Sequence, residues 1–185
     1  MTDEKIDIVD TQGTTETWPD FLGESQWTVC IFTSVQCPYA LAAYPTVDRI
    51  ATKYDTRGVQ FRLINSNLST LDDPEDLDSM RTLGLHPTTR FFRDEGGRLA
   101  VKLGASHTPH AFVIDESGKV LWSGPIDRRF KKPDDWTEDS AGFWPWDDAP
   151  PPEPQVTELE EVLEELLKGG AIERQSEDPI GCTIK

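Results

Sequence analysis

Reactive chemistry is legible at one place in the chain, where Trp27-Thr28-Val29-Cys30-Ile31-Phe32-Thr33 runs through Ser34-Val35-Gln36 into Cys37-Pro38. The first seven residues are strand formers, and apolar residues recur at helical spacing after Pro38. Proline suits the first helical position because its φ is already helical and its missing N–H has no intrahelical partner to lose. That puts Cys37 at the N-cap. There the unpaired amides and the positive end of the helix dipole favour thiolate over thiol. A thiolate attacks disulfides and peroxides, so Cys37 is the candidate nucleophile. Cys30, inside the apolar run, reads as inert core.

The elements that position this thiol follow from local pattern. The helix from Pro38 carries Leu41, Tyr44, Val47, Ile50, Ala51 and Tyr54 on one stripe, with a kink expected at Pro45 and Gly58 ending the helix or the turn after it. Val59 to Asn65 reads as a second strand, and strand, helix and strand at this length imply a parallel crossover. Asp73-Pro74-Glu75-Asp76 opens a helix that continues to Gly84. Thr88 to Phe92 reads as a short extended piece, and Arg98 to Leu103 as a short helix ending at Gly104. Ala111 to Asp115 and Lys119 to Trp122 form a hairpin signal around Glu116-Ser117-Gly118. Thr157-x-x-Glu160 is a capping box ahead of an apolar face of Leu159, Val162, Leu163, Leu166 and Leu167. At the start of the chain, Lys5 to Val9 reads as a short edge strand, the segment to Thr17 as turn-rich, and Trp18 to Leu22 as one helical turn.

These elements divide the chain into an N-terminal extension (1–26), a core (27–129), an excursion rich in Trp, Pro and Asp (130–156), a C-terminal helix of the core (157–169) and a polar tail (170–185) carrying Cys182. The excursion's Trp136, Trp144 and Trp146 read as packing against the domain or as a contact for a protein partner.

Composition removes several classes of function. With 34 acidic against 18 basic residues and a net charge of -16, the chain repels phosphate backbones, which argues against a nucleic-acid partner. No stretch approaches the apolar length of a membrane span, so no membrane partner is expected. The start Met-Thr-Asp-Glu-Lys lacks a signal-peptide layout, and a cytoplasmic location is the expectation. Three widely spaced cysteines without a Cys-x-x-Cys pair do not make a stapled scaffold, so any disulfide would be functional rather than structural. No cofactor is called for.

In this order, β-α-β, an insertion with a helix, then β-β-α, the chain resembles the thioredoxin superfamily, and within it the redoxin branch grouped with alkyl hydroperoxide reductase and thiol-specific antioxidant proteins. The matching residues are Phe32-Thr33-Ser34-x-x-Cys37-Pro38-Tyr39, Ile64-Asn65-Ser66-Asn67, Gly104-Ala105-x-x-Thr108-Pro109-His110-x-Phe112-Val113-Ile114-Asp115, Gly124-x-Ile126-Asp127 and Gly181-Cys182-x-Ile184-Lys185. The resemblance implies an α/β thioredoxin-like fold, a mixed central sheet with helices on both faces. It implies Cys37 as nucleophile, Pro109 as a cis proline facing the thiol, and Pro38 and Thr108 at the substrate edge. Two departures stand out. Ala40 occupies the place of the second cysteine of Cys-x-x-Cys, which excludes a local dithiol cycle. Cys30 sits where the peroxiredoxin pattern has proline, although Ser34 can stand for its threonine. The candidate resolving thiol within the chain is then Cys182; otherwise a low-molecular-weight thiol or a partner serves.

The function implied is thiol-based redox chemistry, by disulfide exchange or as a peroxidase, on a thiol, disulfide or peroxide substrate. Two alternatives stay open. His107 and His110 flank Pro109 and with Cys37 could form a copper or zinc site, or the fold could be a partner-binding module with an idle thiol. His86 reads as a loop residue.

Overall fold

Alternation with both faces buried sets the architecture. The computed structural model describes residues 4–67, 73–83, 87, 89–127 and 156–184. On β3 (Trp27–Phe32), Val29 and Ile31 face one apolar cluster while Cys30 and Phe32 face the other. Phe61 and Leu63 against Ile64 on β4 (Val59–Asn65), and Ala111 and Val113 against Phe112 and Ile114 on β7 (His110–Asp115), divide in the same way. A sheet apolar on both faces has to be covered on both. The first face is covered by α1 (Pro38–Tyr54), α4 (Glu158–Gly169) and Met80 of α2 (Pro74–Thr82), the second by α3 (Arg98–Leu103) and a 3-10 turn at Asp20–Glu24.

The remaining strands are β1 (Ile6–Asp10), β2 (Thr15–Trp18), β5 (Arg90–Arg93), β6 (His107–Thr108), β8 (Val120–Gly124) and β9 (Cys182–Thr183). Among the described residues seven strands form one sheet in the order β2-β1-β5-β4-β3-β7-β8, and β6 pairs with β9 apart from it. β3, β4 and β5 are parallel, whereas β7, β8, β1 and β2 join antiparallel. The fold is therefore the expected α/β arrangement, a mixed sheet with helices on both faces.

Several local expectations match. Thr157 accepts a hydrogen bond from the Glu160 amide while Glu160 reaches back to the Thr157 amide, completing the capping box. Glu160 also takes two hydrogen bonds from Arg49 at 2.8 and 2.6 Å, which fastens α4 to α1. Gly58 sits at φ 78, the left-handed conformation that ends the turn after α1 and that glycine adopts without a Cβ clash. α1 runs as one helix through Pro45.

Three expectations are corrected. Ile6–Asp10 is an interior strand rather than an edge, because Thr15–Trp18 pairs outside it, where the sequence reads as turn-rich to Thr17 and as the start of a helical turn at Trp18. The cause is long-range: the buried Arg62 on β4 binds Glu16 and Glu24 at 2.9 Å each and lies between the rings of Phe21 and Phe92, and Arg90 on β5 also holds Glu16. On α1, Leu41 is 42% exposed, and the buried residues of its first two turns are Ala40, Ala43 and Tyr44. α2 ends at Thr82, before Gly84. The excursion from 130 to 155, with Trp136, Trp144 and Trp146, and His86 lie outside the described residues.

The Arg62 cluster makes an ordered prediction about stability. Glu16→Ala leaves a buried guanidinium short of an acceptor and is expected to cost about 3 kcal/mol, more than Arg62→Met, which removes the charge together with its need for partners. Urea denaturation midpoints at constant m-value check the order.

Candidate functional site

The site forms where β3 stops. Phe32 pairs with His110 at the end of the β3 and β7 ladder, so the residues after β3 and those before β7 leave the sheet side by side. After β3 the Thr33 amide donates to the Ile64 carbonyl, the Cys37 amide donates to the Ser34 carbonyl, and Gln36 Nε2 donates to Asp76 on α2 at 3.0 Å. Beneath the loop, the Thr33 and Tyr44 hydroxyls are hydrogen-bonded at 3.0 Å. Cys37 is the N-cap of α1, with Pro38 in its first turn. Before β7, Thr108 is buried and the Thr108–Pro109 peptide is cis.

The C-terminal tail completes the site. β9 pairs antiparallel with β6, Thr183 opposite His107 and Cys182 opposite Thr108, and the Ile184 amide donates to the Ser106 carbonyl at 3.0 Å. This sets Cys182 Sγ 2.9 Å from Cys37 Sγ across 145 positions of sequence. That is longer than the roughly 2.05 Å of a covalent disulfide, so the two sulfurs are in contact without a disulfide between them. Cys37 Sγ is also 3.0 Å from the Thr108 carbonyl, to which its thiol form can donate. Cys37 is 4% exposed, with its sulfur under the tail.

The Cys37 thiol is pulled down to about 6. The largest cause is the hydrogen bond with Cys182, opposed by burial and supported by Thr108 and by the amides of Ala40 and Cys182. The helix start contributes as expected through the Ala40 amide, as a smaller effect than the Cys182 hydrogen bond. The sulfur makes no full capping hydrogen bond, because its near neighbours are the tail thiol and the Thr108 carbonyl. Cys30 behaves oppositely, pushed up to about 12 by complete burial.

The histidines do not join the thiols. His107 is hydrogen-bonded through Nδ1 to Ser106, whereas His110 is buried 4.3 Å from the Phe112 ring centroid, and neither of its ring nitrogens has a hydrogen-bond partner among the described residues. Burial lowers His110 to about 4, so it is neutral at neutral pH. Among the described residues no three His, Cys, Asp or Glu side chains gather to hold a metal ion, so Cys37, His107 and His110 do not come together as a ligand set. Nor, among those residues, is any helix long and apolar enough to cross a membrane.

No protein-family profile matches the chain, and no curated protein matches it. Among solved structures, it is similar to a hypothetical protein from Sinorhizobium meliloti with a TM-score of 0.72 and 23% identity, covering 98% of this chain and 91% of that one. An uncharacterized conserved protein from Geobacillus kaustophilus gives 0.69 and 25% identity, covering 98% and 88%. The exposed lipoprotein thioredoxin Etrx1 of Streptococcus pneumoniae gives 0.53 and 20% identity, covering 65% and 87%. The chain has a thioredoxin-like fold.

Within that thioredoxin-like frame, the residues singled out in the sequence separate cleanly. Cys37, Pro38, Thr108, Pro109 and Cys182 lie on segments that meet at one end of β3, while Cys30 lies within the strand, facing the second core cluster. Tyr39 was quoted only for the resemblance, yet it feels both thiols: burial first, then the charges of Cys182 and Cys37, raise its phenol. Its place beside Cys37 at the helix start was the available signal. Gly181 carried no chemical signal of its own, and its importance appears only from what it touches.

Because Cys182 is the largest contributor to its acidity, Cys37 should alkylate with a midpoint near pH 6 in the natural chain. Cys182→Ala, which removes the donor that a serine would keep, is expected to raise that midpoint. Iodoacetamide rates against pH, resolved by peptide mass, measure both, and an unshifted midpoint would show that another group sets the acidity.

Proposed function

We propose that the chain is a two-thiol redox protein in which Cys37 is the nucleophile and Cys182 the resolving thiol. The observation that carries this reading is the 2.9 Å approach of the two sulfurs on a tail strand registered against Thr108. With Ala40 where a second local thiol would stand, the partner sulfur arrives from the other end of the chain.

In disulfide exchange, Cys37 thiolate attacks one sulfur of the substrate. A Cys37–sulfur bond forms as the substrate disulfide breaks, and the departing thiolate takes up a proton. Cys182 gives up its proton, attacks Cys37 Sγ and expels the second substrate sulfur as a thiol. The substrate gains two electrons and two protons, and the chain ends with a Cys37–Cys182 disulfide. Peroxide enters the same cycle: Cys37 becomes a sulfenic acid as water or an alcohol leaves, and condensation with Cys182 releases water. A thiol that titrates near 6 is largely thiolate at neutral pH, the form both routes require.

Diamide or stoichiometric hydrogen peroxide should remove two hydrogens from the full chain and link Cys37 to Cys182 in peptide maps, with Cys30 untouched. In Cys182→Ser, peroxide should leave a Cys37 sulfenic acid that dimedone captures. A chain that yields neither the disulfide nor the dimedone adduct is not a two-thiol redox protein.

A further inference from the structure

The tail lies on β6 as an added strand, and its fit there sets a condition on anything else that uses the same edge. Gly181 passes over the Thr108–Pro109 peptide. A Cβ at Gly181 would fall 2.6 Å from the Thr108 carbonyl carbon and 3.1 Å from Pro109 N, and closer still to the Thr108 oxygen. Those are backbone atoms of the buried junction between β6 and β7, so they cannot swing aside as a side-chain tip can. Gly181 has no positive φ, so it is needed for space rather than for conformation.

We propose that the β6 edge is a strand-addition site for a cysteine preceded by glycine, with the chain's own Gly181-Cys182 as resident and an extended Gly-Cys segment of a partner protein as substrate. The proposal rests on the two-thiol reading and names its substrate class. Its logic is register. To present sulfur to Cys37, an incoming cysteine must take the place of Cys182 opposite Thr108, and the preceding residue then crosses the Thr108 carbonyl. A slip of one residue does not help, because it turns the cysteine to the other face of the strand. Main-chain hydrogen bonds give such a segment its affinity, as Ile184 N–H to Ser106 O does for the tail. Ile184, packed against the second apolar cluster, marks an apolar subsite two positions after the cysteine.

The resident can leave without unfolding the chain. Residues 175–177 are tied to β8 independently: Trp122 Nε1 donates to the Gln175 carbonyl, the Ser123 amide to Ser176 Oγ, and the Glu177 amide to the Ser123 carbonyl. Only the segment beyond Glu177 has to lift. Held by that tether, it competes at an effective concentration on the order of millimolar, so its return brings Cys182 back to resolve the mixed disulfide.

The test uses the full chain carrying Cys182→Ser and two synthetic peptides, Asp-Pro-Ile-Gly-Cys-Thr-Ile and its counterpart with alanine before cysteine, each activated as a 2-pyridyl disulfide. Release of pyridine-2-thione reports attack by Cys37. The glycine peptide is expected to react on the order of tenfold faster, the effect of losing one or two strand hydrogen bonds. Equal rates overturn the glycine requirement, and if bare 2,2′-dipyridyl disulfide still labels Cys37, the thiol reading survives that failure. A Cys37 inert to all three reagents overturns both. Independently, Gly181→Ala in the otherwise natural chain should slow diamide-driven Cys37–Cys182 disulfide formation by a similar factor, and an unchanged rate overturns the proposal.

Discussion

The site depends on β3 being hydrogen-bonded on both sides and buried on both faces. Six residues of β3 pair with β4 and the same six with β7. A strand so held cannot slip, since a one-residue shift would exchange Val29 and Ile31 for Cys30 and Phe32 across the sheet. Its end is therefore a fixed point, and that point decides the chemistry. The chain leaves it into the N-cap of α1, and β7, arriving antiparallel beside it, brings the Thr108–Pro109 peptide to the same level. Cys37 and Thr108 meet because two ladders share one strand, although 71 positions separate them.

An acidic chain can stabilise a thiolate because distance separates the two effects. The net charge of -16 is spread over the molecule, and beyond a Debye length of about 8–10 Å exposed charges are largely screened. The hydrogen bond between Cys37 and Cys182 acts at 2.9 Å and is the largest cause of the low value, and no carboxylate figures among the causes. Among the described residues no cation contributes to the shift, and His110, on the neighbouring strand, is neutral because it is buried. The acidity of Cys37 is thus a property of the docked tail. When the tail lifts, the thiol loses the largest contribution to its low value just as its sulfur becomes accessible. The opened site holds less thiolate, but a thiolate of higher basicity is a better nucleophile, so the two effects oppose.

What could be read from the sequence was local. The strand-to-helix junction at Cys37-Pro38, the capping box at Thr157 and Glu160, and the hairpin of β7 and β8 each declare themselves within a few residues, and each is present. Elements that depend on distant partners were missed. β2 has few apolar side chains to announce it and is held by Glu16 reaching Arg62 and Arg90. Leu41 fitted the helical stripe by spacing, but the Cys37 end of α1 is turned so that Ala40 is buried and Leu41 exposed. Cys182 was legible as a candidate partner for Cys37, but the strand pairing that brings it there was not. Strand addition uses main-chain groups that every residue has, so nothing in Gly181-Cys182-Thr183-Ile184 distinguishes a free end from a paired one. The histidines misled in the opposite direction: flanking Pro109 in the sequence, they form no ligand set with Cys37 among the described residues, one being tied to Ser106 and the other packed on Phe112.

The shortness of the β6 and β9 pairing is itself informative. An open strand edge invites pairing with other chains, and proteins normally cover such an edge permanently or blunt it with charge. Here it is covered by two residues of the chain's own tail. At about 1 kcal/mol for each strand hydrogen bond, so brief a ladder holds the tail in place most of the time and releases it at modest cost. A longer ladder would bury Cys37 for good, and no ladder would leave both a reactive thiol and a sticky edge exposed. The observed length lies between these failures, and the glycine that lets the strand approach so closely also restricts what can replace it.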